Sequence, residues 1–411
     1  MPDALFGQCP VWPMPCLADA RCPVCPMPNA PLPIRLMFQS FFMGGFECST
    51  HKLRSGKRLD ITAATGHDKF AVADYQRLQQ QGIYTVREGL RWHLIEQSPE
   101  QYDFSSALPI IRAARDTKMQ VIWDLFHYGW PDDIDIFSPE FVSRFAKMVR
   151  AFMQVLTDET DQTPFVTPVN EISFIAWGGG DVAYINPFAR GRGDELKIQL
   201  VKAAIAGIES VWEVNPSTRI VQIDPVINII ADPDKPEDRD VAEGYRLSQY
   251  QAWDMLAGRF RPEIGGKEKY LDIIGVNYYD RNQWIHNEHP MKYTDRLYRP
   301  FSEMLQELFD RYGRPLFVAE TGTEDDFRPV WFNYVCAEVA AALKAGVPVE
   351  GVCLYPIVNH PGWDDDRHCY NGLWDYGNES GDRQIYQPLA DELQYQRQQI
   401  QPLLKPKNPQ L

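Results

Sequence analysis

Pro315-Leu316-Phe317-Val318-Ala319-Glu320-Thr321-Gly322 carries an unbroken apolar run straight into a carboxylate. A short run with no polar alternation is how a strand buried on both faces reads, and parallel sheets covered by helices bury both faces. Phe165-Val166-Thr167-Pro168-Val169-Asn170-Glu171 repeats the pattern earlier in the chain, again ending on a glutamate. Working outward, further strands are expected at Leu36–Phe46, Tyr84–Arg91, Gln120–Phe126, Arg219–Asp224, Leu271–Tyr278 and Gly351–Ile357. Segments with helical spacing separate them: Asp68–Gln81, Ser105–Lys118, Pro139–Leu156, Asp194–Val214, Val241–Ala257, Ser302–Tyr312 and Pro329–Ala345, with Pro388–Leu403 closing the set. Strands alternating with helices in this way predict an α/β fold, a closed (β/α)8 TIM barrel spanning about residues 34–405. The rival is a doubly wound open sheet, but no Gly-rich phosphate turn follows an early strand.

Barrels of this kind place their chemistry at the C-terminal ends of the strands. Those ends carry Glu47 and His51 (strand 1), Arg87 and Trp92 (strand 2), His127 (strand 3), and Asn170 and Glu171 (strand 4). Asp224 ends strand 5, Asn277 and Tyr279 end strand 6, Glu320 ends strand 7, and Asn359 to Asp366 follow strand 8. A polar group inside a barrel end either lines a pocket or costs stability. Each residue also has a plain structural role open to it. An arginine can form an ion pair, a histidine can bond the backbone, and a glutamate after a strand can cap a helix.

The chain has 411 residues, 44% of them hydrophobic, enough for one large core. Its 41 basic and 56 acidic residues give a net charge of −15, which argues against nucleic acid as a partner. Aromatics make up 12%, including 11 Trp and 19 Tyr, and flat aromatic faces suit the C–H patches of sugars. No apolar run is long enough to span a bilayer, and the opening Met-Pro-Asp lacks a basic start and an apolar segment. A cytoplasmic protein is expected. Residues 1–33 form a Pro-rich extension holding Cys9, Cys16, Cys22 and Cys25. Its Cys22-Pro-Val-Cys25 has the CxxC spacing of zinc sites, and either a four-Cys zinc knot or an extension without metal fits it. Cys48, Cys336, Cys353 and Cys369 are expected as buried free thiols, and residues 406–411 form a short tail.

Strands 4 and 7 face each other across a barrel mouth, so Glu171 and Glu320 can converge. Retaining glycosidases need two carboxyl groups about 5–5.5 Å apart, one to attack the anomeric carbon and one to protonate the departing oxygen. The first is ionised and the second protonated at the same pH, so their surroundings must differ. Arg87 and Tyr279 are placed to hold an anionic Glu320. Asn170 is placed to bind the sugar 2-hydroxyl, and His127 a second hydroxyl.

The chain resembles glycoside hydrolase family 1, the β-glucosidase type of retaining barrel, over about residues 36–400. Thr167-Pro168-Val169-Asn170-Glu171 is similar to the family's acid/base motif, and Ala319-Glu320-Thr321-Gly322 to its nucleophile motif. Gly275-Val276-Asn277-Tyr278-Tyr279 resembles its strand 6, which implies that Asn277 lines the cleft and Tyr279 contacts the nucleophile. Arg87 within Val86–Trp92 and His127 within Asp124–Pro131 match its strand 2 arginine and its sugar-binding histidine. After strand 8, Tyr355 falls at the family's Trp platform and Gly362 at the Glu that grips distal hydroxyls, with Trp363 matching the Trp that follows. The gripping Glu is therefore missing, with Asp364, Asp365 or Asp366 next in line. The family's strand 1 sugar-binding Gln falls at His51.

The resemblance implies a hydrolase of β-linked glycosides working through a covalent glycosyl-enzyme, with a carbohydrate as partner and no cofactor or catalytic metal. The departures after strand 8 leave room for a retaining transglycosidase acting on a sugar other than glucose. A carbohydrate-binding barrel without catalysis is a third reading, and the retained Arg87, Asn170, Glu171, Tyr279 and Glu320 argue against it. A metal enzyme is weaker still, since the barrel body lacks an HExxH spacing. The glycine-rich Trp177–Asp181 and the stretch to Gly193 are either a rim segment on the acceptor side or a plain surface loop. Asp232–Asp240 is expected as a solvated loop.

Overall fold

The computed structural model describes residues 37–404. The Cys-rich extension and the 406–411 tail lie outside them. Eight parallel strands close into a barrel: β1 (Phe42–Gly45), β2 (Thr85–Gly89), β3 (Gln120–Asp124), β4 (Phe165–Thr167), β5 (Arg219–Pro225), β6 (Ile273–Asn277), β7 (Leu316–Thr321) and β8 (Val349–Leu354). They lie in sequence order around the ring. β1 pairs with β2 on one side (Gly44 with Val86) and with β8 on the other (Phe42 with Val352).

The apolar runs form strands because both faces find partners. One set of side chains packs outward under helices His67–Gln80, Leu108–Thr117, Pro139–Glu159, Gly193–Val214, Phe301–Tyr312, Arg328–Ala345 and Gln387–Ile400. The other set, including Met43, Ile122, Phe165, Val221, Ile273, Phe317 and Cys353, fills the barrel interior. Phe38 plugs the interior, its ring 5.3 Å from Phe165 and 5.1 Å from Phe317. The first strand starts at Phe42: Phe38, with Met37 against it, fills the barrel interior, while Phe41 packs in the outer core and its carbonyl accepts from the Val352 N–H. The Cys48, Cys336, Cys353 and Cys369 thiols are all free and buried.

Several elements differ from the sequence reading. The helix expected over Val241–Ala257 is broken into Arg239–Leu247 and Gln251–Leu256 by a tight turn at Ser248–Tyr250, where the Gln249 side chain bonds the Ile227 backbone. Asn228–Ile230 and Gln283–Ile285 form a small parallel sheet that the alternation of runs does not announce. The glycine-rich segment is a π-helical turn, Ala176–Asp181, not a plain loop, and Trp177 and Asp181 border the cleft. Of the loop expected over Asp232–Asp240, Pro233–Glu237 is exposed, but Pro236–Asp238 forms a 3-10 turn and an α-helix begins at Arg239.

Candidate active site

The ends of β2, β3, β4, β6 and β7 supply polar side chains to one connected network at the barrel mouth. Its hub is Arg87 on β2, with no solvent exposure. Nη1 donates to Glu320 Oε1 and to the Ala319 carbonyl, both at 2.9 Å. Nη2 donates to Asp124 Oδ2 at 2.5 Å and to Asn170 Oδ1 at 3.0 Å. Burial works against the guanidinium charge, but Asp124 and Glu320 outweigh it and keep Arg87 protonated. Arg87 thus has the structural ion pair that the plain reading expected, made with Asp124, and in addition holds Glu320.

Glu320 is the last residue but one of β7, where it is the register partner of Asn277. Its second oxygen accepts from the Tyr279 hydroxyl at 2.9 Å. Burial, and then the charges of Glu320 and Glu171, keep Tyr279 protonated as a donor.

Glu171 stands on a left-handed backbone, φ 54 and ψ 56. Such a conformation is costly for a residue with a Cβ and persists only where the surroundings fix it. Here the Asn170 N–H donates to Phe126 O and the Glu171 N–H to Ile223 O, both at 3.0 Å, tying the turn to β3 and β5. The Glu171 side chain makes no bond to the helix that follows, so it is not acting as a helix cap. It accepts instead from Asn277 Nδ2 at 2.9 Å and from the Tyr128 hydroxyl. Burial, and then the negative charge of Glu320, push its pKa up to about 8. One carboxyl is thus tied to a buried cation, while burial and the Glu320 charge favour the acid form of the other against its two neutral donors.

The remaining predicted residues divide into two groups. His127, Glu171, Tyr279, Glu320, Tyr355, Trp363 and Asp364 border a cleft of about 1530 Å³. Arg87, Asn170 and Asn277 are fully buried behind them. His51 is buried as well, its ring edge-on to Trp363 at 4.6 Å, and its Nδ1 has no partner among the described residues. Glu47, four residues earlier, borders the cleft in its place. His127 bonds Asp124 at 3.1 Å and not the backbone. Burial opposes its charge, but Cys48, Asp124 and Glu47 raise its pKa well above the ordinary histidine value.

The departures after β8 have a physical counterpart. Tyr355 lies so flat on β1 that a Cβ on Gly45 would stand 2.0 Å from its ring. Gly45→Ala is therefore expected to displace Tyr355 and to cost roughly 1–3 kcal/mol, read from the denaturation midpoint. At Gly362 a Cβ would meet Asp365 Oδ1 at 2.3 Å, so Asp365 occupies the space a larger residue would need. Asp364 lies out at the rim, where the Tyr184 hydroxyl is 3.4 Å from its Oδ2.

Cys48, Asp124 and His127 bring potential metal-ligating atoms within 4.8 Å of one another. Their chemistry does not fit a cation well. The Arg87 charge is bonded to Asp124, and burial pushes the Cys48 thiol up to about 11. Among the described residues no helix is long and apolar enough to cross a membrane.

The barrel with this mouth has the fold of the family 1 β-glucosidases. A β-glucosidase from Thermotoga maritima, solved with glucoimidazole, superposes with a TM-score of 0.70 at 14% identity, covering 89% of this chain and 98% of that one. The β-glycosidase from Thermosphaera aggregans gives 0.70 at 15% identity, covering 89% and 98%. The virulence factor SghA from Agrobacterium tumefaciens gives 0.69 at 15%, covering 86% and 96%. No protein-family model matches the sequence, and no curated protein matches it.

Proposed function

We propose that the protein is a retaining β-glycosidase in which Glu320 is the nucleophile and Glu171 the acid/base. One observation carries the proposal: two buried carboxyl groups share a cleft in opposite electrostatic settings. Arg87 and Tyr279 each donate to an oxygen of Glu320, which stabilises a negative carboxylate. Burial and the neighbouring charge hold Glu171 as the acid up to about pH 8. Double displacement needs this pairing of an ionised and a protonated group. Glu320 attacks the anomeric carbon as Glu171 gives its proton to the leaving oxygen. With the glycosyl group on Glu320, the Glu171 carboxylate then takes a proton from the incoming water as the water oxygen bonds the anomeric carbon and the ester bond to Glu320 breaks, returning both carboxyl groups to their starting states. The likeness to β-glucosidases supports the reaction class, while Tyr355 and Gly362 favour a sugar other than glucose.

The test is to incubate the protein with activated 2-deoxy-2-fluoro β-glycosides in gluco, galacto, manno, fuco and xylo forms and record intact mass. One glycosyl unit mapped to Glu320 is the expected result, and the sugar that labels narrows the specificity. A label on another residue would overturn the assignment.

Two further results are expected. The activity kcat/KM should fall as pH rises through about 8, because Glu171 must carry its proton to act as an acid. Glu171→Ala should lose about 10²–10⁴-fold on substrates with poor leaving groups. It should lose far less on activated aryl glycosides, where added azide should restore turnover. An unchanged pH profile in Glu171→Gln would sink the acid/base assignment.

A further inference from the structure

The proposed reaction leaves one buried acid at the cleft unused. Glu47 follows β1, is 8% exposed, and borders the cleft beside His127, Tyr355 and His360. Its Oε1 is taken by Ser49, whose backbone N–H donates at 3.0 Å and whose hydroxyl donates as well. Its Oε2 has no hydrogen-bond partner among the described residues.

The two histidines nearest in charge are spent elsewhere. His127 Nδ1 pairs with Asp124, and His360 pairs through Nδ1 with Pro361 O at 2.8 Å and through Nε2 with Asn371 at 3.0 Å. Burial favours the neutral acid, yet those two imidazoles and Ser49 leave the Glu47 pKa below its ordinary value. The cleft therefore presents an anionic oxygen to which the protein supplies no donor. Facing the cleft and not taken by the protein, this oxygen is open to a hydrogen-bond donor on a bound molecule.

The position of Glu47 says which donor. β1 lies between β8 and β2, on the side of the ring opposite β5, with β8 between it and β7 and with β2 and β3 between it and β4. This is the closed end of the cleft, walled by Tyr355 and His127, each 2% exposed. The other end opens toward the exposed Trp177 and Tyr245. A sugar with its anomeric carbon between Glu171 and Glu320 and its leaving group toward the open end turns its far hydroxyls to Glu47.

We propose that Glu47 Oε2 is a specificity-determining acceptor for a sugar hydroxyl remote from the anomeric carbon. The proposal rests on the glycosidase function above. It moves the gripping carboxylate from the segment after β8, where Gly362 has none, to the end of β1.

The test compares wild type, Glu47→Gln and Ser49→Ala on an aryl β-glycoside of the sugar that labels and on its 3-, 4- and 6-deoxy analogues. Glu47→Gln should lower kcat/KM on the parent sugar roughly 10–100-fold. On the analogue lacking the bound hydroxyl, wild type and Glu47→Gln should agree within about twofold, as coupled partners do in a double-mutant cycle. Ser49→Ala keeps the carboxylate and should keep its discrimination for that same hydroxyl. A loss of equal size on every analogue, or no loss on any, overturns the proposal.

Failure of the glycosidase function is a separate outcome, seen as a wild type that neither labels nor cleaves. The same proteins are then titrated calorimetrically with the five free sugars and their monodeoxy forms. Weakening by Glu47→Gln that vanishes for one deoxy form supports the hydroxyl contact. Equal binding, or none, overturns it.

Discussion

Glu320→Gln is expected to fold normally and to lose roughly 10⁴-fold or more in kcat, because an amide cannot form the glycosyl ester. The surroundings explain why the fold should survive. The new carbonyl can still accept from Arg87 Nη1, and the new amide faces the Tyr279 hydroxyl, whose oxygen can accept. Trapping by fluorinated glycosides should disappear, while the melting temperature stays close to wild type. A second readout does not depend on turnover. The Glu320 charge is the next cause after burial of the raised Glu171 pKa, so removing it should move that pKa down. Infrared or NMR titration of the Glu171 carboxyl checks this. A Glu171 titration that stays in place would mean that the two groups do not sense each other, and double displacement would lose its basis.

Arg87→Met should be the most destabilising single change in the mouth, costing about 3–5 kcal/mol. The side chain is unexposed and makes four hydrogen bonds, so its loss strands Asp124, Glu320, the Asn170 carbonyl and Ala319 O together. The deficit should depend on pH with a definite sign. Burial raises the Asp124 pKa, but Arg87 and His127 bring it below 3.8 in the folded protein. A carboxyl depressed in this way contributes stability that is complete above its unfolded pKa and lost as pH falls through its folded one. The gap between wild type and Arg87→Met should therefore be full above about pH 4 and narrow below it. Arg87→Lys should recover only part, since one ammonium cannot span both carboxylates. Urea midpoints measured across pH check all three statements. Equal stability of Arg87→Met and wild type near neutrality would remove Arg87 as the organiser of the mouth.

The barrel was legible because its strands are buried on both sides and therefore read as short, largely apolar runs that turn polar toward their ends. The chemistry was legible because strands such as Phe165–Thr167 and Leu316–Thr321 run into carboxylates with almost no connecting loop. Pattern failed where tertiary contact decides. Phe38 reads as a strand residue, but it is a plug held by rings from β4 and β7. The break at Ser248–Tyr250 follows from a Gln249 contact that no local periodicity contains. Glu47 and His51 are four residues apart after the same strand, and nothing local says which one faces the cleft. Trp363, more than 300 residues away, packs against His51 and takes that side of the cleft wall. The raised pKa of Glu171 is equally invisible in sequence, since it comes from burial and from a charge on a strand across the mouth.

The pairing of β1 with β8 also governs how the molecule is made. Phe42 finds Val352 only after some three hundred intervening residues have been synthesised. Until then the growing sheet has two bare margins, one fixed at β1 and one advancing with each new strand. Unpaired margins of apolar strands invite association with other chains. Long-range pairing of this kind is also slow, because its loop must close before any contact rewards it. A nascent chain stalled before residue 349 would present both margins at once. The last strand thus acts as a clasp, and yield of this protein in a cell should depend on how quickly the chain from Val349 onward is delivered.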